Sequence, residues 1–434
     1  MGSQSASPAK RTLGIVWLTI FIDLVGFSII FPIFPAMLEW YLPREGEGSL
    51  LHGLIAGLQQ LTTGPNNQFL VTVLFGGILG SLYSLLQFFS SPLWGRLSDR
   101  HGRRRILVIT TAGTALSYLI WIFSGAFWVL ILSRVLAGIM AGNIGVATAA
   151  IADTTDSKSR SKGMALIGVA FGLGFILGPA IGGLGSLVHL GFDPQSTSAF
   201  ALTPFSFPAL LAFLLALGNI LWVWKAFPET LAPEKRKSIE KRGPLFRFGS
   251  KNPNVKRALN VYFIFIFAFA GMEFTLTFLA LERLMYKPHD MSVMFLFIGF
   301  TLAMTQGYLV RKYGHQVGER NFTTMGLLSG MLSMVILSIS HGTGLFYTGL
   351  FFLGFGVGCA SPSLSALVSL YAPAERQGAE LGAFRSIGAL GRAMGPIFGA
   401  GLFWKLGSQT AYITGAVLLL VSALFSLLLP KPYK

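Results

Sequence analysis

The amino-acid sequence predicts an all-α membrane protein, with twelve transmembrane helices arranged as two six-helix bundles. Three observations lead there: an apolar, charge-poor composition, twelve long apolar runs, and one glycine- and proline-bearing stretch that occurs twice. Of 434 residues, 53% are hydrophobic and 12% charged; an ordinary soluble domain is about one quarter charged. Mean hydropathy is +0.65.

An α-helix rises about 1.5 Å per residue, so roughly 20 mostly apolar residues cross a hydrocarbon core about 30 Å thick. Runs of this kind lie at 13–38 (span one), 70–93 (two), 106–124 (three), 128–152 (four), 163–189 (five) and 205–226 (six). Six more lie at 258–281 (seven), 293–310 (eight), 321–340 (nine), 345–371 (ten), 379–404 (eleven) and 410–429 (twelve). The first run is too long for a signal-peptide core and contains Asp23, so it reads as a retained span. The opening Met-Gly-Ser-Gln-Ser-Ala lacks the Ser or Thr that a myristoylation site requires.

The chain carries 33 Lys and Arg against 17 Asp and Glu, a formal charge of +16. In a soluble protein that excess would suggest nucleic acid, but its placement has another cause. With both termini on one side, 26 of the basic residues fall on that side, four on the other (Arg44, Arg283, Lys287, Lys405), and three within spans. The positive-inside rule then puts both termini in the cytoplasm and removes the nucleic-acid reading. Sequence does not choose between the plasma membrane and an intracellular one.

Residues 227–257 are polar, basic and rich in Pro and Gly, which divides the chain into an N-terminal bundle (1–226), a cytoplasmic linker (227–257) and a C-terminal bundle (258–434). Such a polybasic segment suits contact with anionic lipid. Outside the membrane the longest loop is 39–68, where SLLHGLIAGLQQL reads as a short interfacial helix.

GLGFILGPAIGG from Gly172 and ALGRAMGPIFGA from Ala389 match at an offset of 217 residues, aligning Gly174, Gly178, Pro179 and Gly182 with Gly391, Gly395, Pro396 and Gly399. Span five is therefore the counterpart of span eleven. Glycines four apart let helix backbones approach closely, and proline removes one backbone hydrogen bond. Their recurrence at one depth in both halves predicts a gating interface.

Five ionisable residues lie within spans: Asp23, Arg134, Glu273, Arg385 and Arg392. Each costs roughly 2.5–3.5 kcal/mol if it faces lipid, so these side chains are expected to face a passage or one another. Asp23, midway along span one, is the candidate proton site, with Arg134 of span four as its modulator. Desolvation favours a neutral acid and a nearby arginine favours the carboxylate, so a change of exposure moves a proton. Arg385 and Arg392 stand seven apart on one face of span eleven, and a guanidinium offers a planar donor fork suited to carboxylate or phosphate; the alternative for Arg385, nearer the cytoplasmic end, is that it snorkels to the interface. Glu273 of span seven is placed to neutralise one of them. Two acids against three arginines leave +1, which an anionic substrate completes. Tyr83 and Gln87 on span two, Asn143, Asn219 and Gln306 are the polar candidates to line the same passage, and each alone reads equally as a hydrogen-bonding tie between helices. Phe265, Phe267, Phe269 and Phe274 of span seven read as lipid-facing or core.

Between spans two and three stands GRLSDRHGRRR, with Gly95, Asp99, Arg100, Gly102, Arg103 and Arg104. It resembles the loop signature of the major facilitator superfamily, Gly-x-x-x-Asp-Arg/Lys-x-Gly-Arg-Arg/Lys, at every position. LSRVLAGIMAGNIG, carrying Arg134, Gly138 and Gly142, resembles that superfamily's span-four signature. GLGFILGPAIGG resembles the span-five signature of its drug/proton antiporter branch, and span one looks like the first helix of bacterial tetracycline exporters. Longer stretches such as MALIGVAFGLGFILGP and FRSIGALGRAMGP resemble the vertebrate tetracycline-transporter-like members, whose implied cargo is organic anions. The resemblance implies antiport, and for the loop motif a latch in which Asp99 and the arginines close one side of the pathway. The counterpart VRKYGHQVGER between spans eight and nine lacks the aspartate.

No enzyme signature is present. The six histidines are scattered without ligand spacing, and there is no phosphate-binding loop, so no cofactor or metal is expected and a proton gradient is the expected driving force. Cys359, the one cysteine, sits in an apolar run and forms no internal disulfide. The sequence therefore predicts a secondary-active, proton-coupled transporter of amphipathic organic anions, working as a monomer by alternating access. A non-transporting membrane sensor and a lipid or lysophospholipid translocator are the alternatives.

Overall fold

A computed structural model describes residues 8–46, 48–59, 67–154, 157–231, 250, 252–373 and 377–431; most of the basic linker lies outside the described residues. Among the described residues every regular element is a helix. Ten helical segments are long and apolar enough to cross a membrane, and span five adds a shorter apolar stretch, Gly172–Gly185. The last segment, Gln377–Ser426, turns at Gly407 (φ 82°, ψ 166°) and holds spans eleven and twelve. The twelve expected spans are thus all accounted for.

Two spans are interrupted, and both breaks position functional side chains. Span one runs Pro8–Ser28, tightens into a 3-10 turn at Phe31–Ile33 and resumes as Phe34–Tyr41. Pro32 and Pro35 cannot donate to the helical ladder, which explains the change of pitch. Span four stops at Met140 and restarts at Asn143. Backbone freed at membrane depth must find other partners, and span two supplies them: Ser90 Oγ, Trp94 Nε1 and Gln87 Nε2 donate to the carbonyls of Gly138 (3.2 Å), Ile139 (2.7 Å) and Ala141 (3.3 Å). Span eight contains a π-helical turn, Thr305–Val310, which includes Gln306. The predicted interfacial helix forms as Leu50–Gln59, burying Leu51 and Ile55 against the bundle while Leu50 and Leu54 face outward.

The repeated glycines make close contacts, but within each half. A Cβ on Gly178 would overlap Ser28 Oγ and lie 2.6 Å from the Val25 carbonyl; on Gly174 it would lie 2.6 Å from Leu24 Cβ. Both thus pack against span one of their own bundle rather than across the seam. In the C-terminal half Gly395 and Gly399 pack in the same way against Phe267 and Gly271 of span seven. The neighbouring prolines turn toward the other half: Ser292 Oγ of span eight donates to the Pro179 carbonyl at 3.2 Å, and the Pro396 carbonyl lies 2.8 Å from where a Cβ on Gly77 would stand. Substituting Gly178→Leu should therefore lower the melting temperature markedly, because overpacking costs about 1–3 kcal/mol. The control Gly218→Leu, with nothing within 4 Å of its Cβ position, should leave it unchanged.

Contacts between halves gather on the face away from the chain termini. Phe31 and Phe34 of span one meet Phe274 (ring centroids 6.5 and 6.3 Å), and Phe69 meets Phe278 and Phe403 (6.4 and 6.3 Å). Gly76 and Gly80 of span two make room for the Phe274 ring, where a Cβ would lie 2.9 and 2.8 Å from it. These aromatic residues close the seam above mid-depth. Phe274, expected to be lipid-facing or core, is a part of that closure.

Candidate functional site

At mid-depth the N-terminal bundle holds a sealed polar cluster. Asp23 is 2% exposed. Its Oδ1 accepts from Asn143 Nδ2 at 3.1 Å and its Oδ2 from the Tyr83 hydroxyl at 3.5 Å. The break in span four puts Asn143 at the start of a new helical segment, where the helix dipole favours a neighbouring negative charge. Phe27 lies against Tyr83, with ring centroids 4.4 Å apart.

Arg134 is buried too, but it makes no ion pair with Asp23. Its guanidinium lies 4.3 Å from the Trp121 ring centroid and 5.9 Å from that of Tyr118, and its Nη2 donates to Ser133 Oγ at 3.0 Å. A cation over an indole face gains about 2 kcal/mol when desolvated. The expected direct partnership is thus replaced by an indirect one through Tyr118, whose hydroxyl rests against Gly26, three residues past Asp23. Sequence gave no signal for Tyr118 or Trp121, because Gly26 looks like any other small residue until its neighbour is known.

The C-terminal bundle presents its charges more openly. Spans seven and eleven run parallel, in a register set by the Gly271, Gly395 and Gly399 contacts, so Arg392 lies one turn before that crossing and Glu273 just beyond it. Glu273, Arg385 and Arg392 are half-buried. Glu273 makes no hydrogen bond or ion pair among the described residues, and Arg392 is the charge within its electrostatic reach. Arg385 likewise makes no hydrogen bond or ion pair; Tyr262 and Arg392 are its electrostatic neighbours. Tyr262 is held by stacking on Phe384 at 3.7 Å.

Three polar candidates serve packing. Gln87 bridges to Ala141 as described, and Asn219 accepts from Thr19 Oγ1 at 3.1 Å, tying span six to span one. Gln306 stands beside Gly172 of span five, 3.8 Å from its Cβ position.

At the rim that carries the termini, the loop motif forms a charged knot. Arg103 Nη2 pairs with Asp99 Oδ1 at 2.6 Å, its Nε pairs with Asp153 Oδ2 at 3.0 Å, and its Nη1 donates to Ser98 Oγ at 2.6 Å. The Arg103 backbone N–H, at the first turn of span three, donates to Glu229 Oε1 at 2.9 Å. Gly102 makes the corner with φ 96° and ψ 149°, which a Cβ would disfavour. Asp153 and Glu229 were missed in sequence, since they come from the end of span four and the segment after span six. The knot joins spans two, three and four to the exit of span six, all within one half. Arg100 is exposed, and Gly95 has nothing within 4 Å of its Cβ position.

The degraded counterpart keeps the corner without the aspartate: Gly318 has φ 82° and ψ 151°. Arg104 Nη2 donates to the Trp224 carbonyl at the end of span six, and Arg320 Nη2 to the Leu427 carbonyl at the end of span twelve, both at 2.6 Å. Each half thus ties its third span to its sixth in the same way.

Twelve spans, two bundles that share a corner and a glycine seam, and charges gathered at mid-depth define a membrane transporter rather than an enzyme. The chain belongs to the Major Facilitator Superfamily, which it matches over residues 16–396 and 291–434. It is 33% identical over 445 residues to Major facilitator superfamily domain-containing protein 10 of Bos taurus, covering 96% of this chain and 92% of that one. It is 28% identical over 396 residues to the class E tetracycline resistance protein of Escherichia coli, covering 91% and 88%. The crystal structure of the human organic anion transporter MFSD10 (TETRAN) superposes with a TM-score of 0.77 at 30% identity, covering 97% of this chain and 100% of that one.

Proposed function

We propose that this transporter carries amphipathic organic anions by alternating access and draws on a proton gradient, with both termini in the cytoplasm and one chain as the working unit. The observation that carries the reading is Arg385, half-buried at bilayer depth with no hydrogen-bonding or ionic partner among the described residues, seven residues before Arg392 on the same face of span eleven. An arginine so placed is stabilised by a ligand that brings negative charge. The solved relative described as an organic anion transporter supports the same class of cargo. With the aromatic closure on the far face, the site is reached from the side of the termini. Asp23, sealed here, exchanges its proton when the bundles rock and its surroundings change.

Proteoliposomes test this directly. Uptake of a labelled aryl sulfonate should be saturable and should respond to an imposed pH gradient, and Asp23→Asn should weaken that response. Flux that ignores the gradient, with Asp23→Asn as active as the wild type, overturns the coupling; no flux of any organic anion overturns the substrate class.

A further inference from the structure

We propose that the C-terminal half is built for dianions, which bridge Arg385 and Arg392 and bind together with one proton taken up at Glu273; the inference rests on the organic-anion reading above. Seven residues of helix separate the two arginines by about 10.5 Å along one face. Between them that face carries Gly388, which the Tyr262 ring covers, and the half-buried Ala389, so the body of a ligand would rest against that ring and a methyl group. The Tyr262 hydroxyl would lie 2.7 Å from a Cβ on Gly388. One guanidinium at each end of an apolar floor made by the Tyr262 ring and Ala389 is a recognition site for two anionic groups joined by a flat apolar spacer.

Local charge then decides the proton. With Glu273 ionised, the two arginines and the acid sum to one positive charge, and a monoanion neutralises the site. A dianion leaves one negative charge in excess, which is costly where water is scarce. Glu273 is the group able to remove it, since no donor holds its carboxylate and Arg392, its charged neighbour, is now engaged by the ligand.

The other titratable groups near Glu273 do not compete for this role. Span twelve brings Tyr412, whose hydroxyl reaches the Met272 carbonyl at 3.4 Å. Span seven itself brings Tyr262, and span ten carries only Tyr347, Cys359 and Tyr371. Across the seam, span two brings Tyr83 and span one Asp23, which are already bonded to each other. By linkage, lowering the pH tightens dianion binding, at most about tenfold per pH unit for one proton.

Calorimetry on the purified full chain, in buffers of different ionisation enthalpy, tests this with two permanently ionised probes. These are a naphthalene monosulfonate and a naphthalene disulfonate with one sulfonate on each ring. The disulfonate should bind at least about tenfold tighter at acid pH and take up close to one proton, while the monosulfonate takes up none. Glu273→Gln should keep disulfonate binding and abolish both the proton uptake and the pH dependence, and Asp23→Asn should retain them. Arg385→Met should remove the disulfonate's advantage. Equal affinities for the two probes, or proton uptake unchanged in Glu273→Gln, overturns the inference while leaving the organic-anion reading in place. Absence of saturable binding of either probe defeats that reading, and the inference with it.

Discussion

Replacing Arg392 with methionine should lower anion flux at least about a hundredfold while the protein still folds and inserts. The pair that Arg392 would make with a bound anion is desolvated and hydrogen-bonded; removing one partner of such a pair costs about 2–5 kcal/mol, and each 1.4 kcal/mol is about a factor of ten in affinity. The loss should be larger than for most single substitutions because Glu273, with no other charge in reach, then becomes an isolated carboxylate. Arg392→Lys keeps the charge but not the planar fork, so it should recover part of the flux. Uptake into proteoliposomes, read beside a thermal melt of the same preparations, separates lost recognition from lost fold. Wild-type flux in the methionine variant would remove Arg392 from the site.

The second large effect concerns stability at the rim that carries the termini. Arg103→Ala should lower the melting temperature by several degrees, since breaking a buried ion pair by removing one member costs about 3–5 kcal/mol. The Arg103 side chain is 4% exposed and holds Asp99 and Asp153 together. Its loss leaves two acids facing each other without their shared cation. Arg103→Lys should recover only part, because one ammonium cannot meet Asp99, Asp153 and Ser98 from three separate nitrogens. Arg100→Ala, at an exposed position of the same motif, should change the melt little. A melt of Arg103→Ala indistinguishable from the wild type would show that the knot does not hold the rim together.

How far the sequence could be read follows from the range of the forces involved. Span positions depend on local hydrophobicity and length, so all twelve were legible, as was the kinship of Gly178-Pro179 with Gly395-Pro396. The interruptions after Ser28 and Met140 were not. Pro32 lies in an otherwise unbroken apolar run, and the stop in span four depends on Gln87, Ser90 and Trp94, which come from another helix. Asp23, Glu273, Arg385 and Arg392 stood out because charge is rare at that depth. The partner of each was hidden: Asp23 bonds to Asn143 and Tyr83 rather than to Arg134, and Arg134 takes an indole face instead of a carboxylate. Glycine patterning announced tight packing but not against what, so Gly174 and Gly178 looked like part of a gate when they fasten span five to span one.

The aromatic closure made by Phe31, Phe34, Phe274 and Phe278 is a short apolar layer, and a layer of that kind resists the passage of ions. If water fills the pathway from the termini to Arg385, most of the membrane voltage falls across those few rings. Loading the site then moves little charge through the field, and nearly all the voltage sensitivity of a transport cycle belongs to the step in which the rings part.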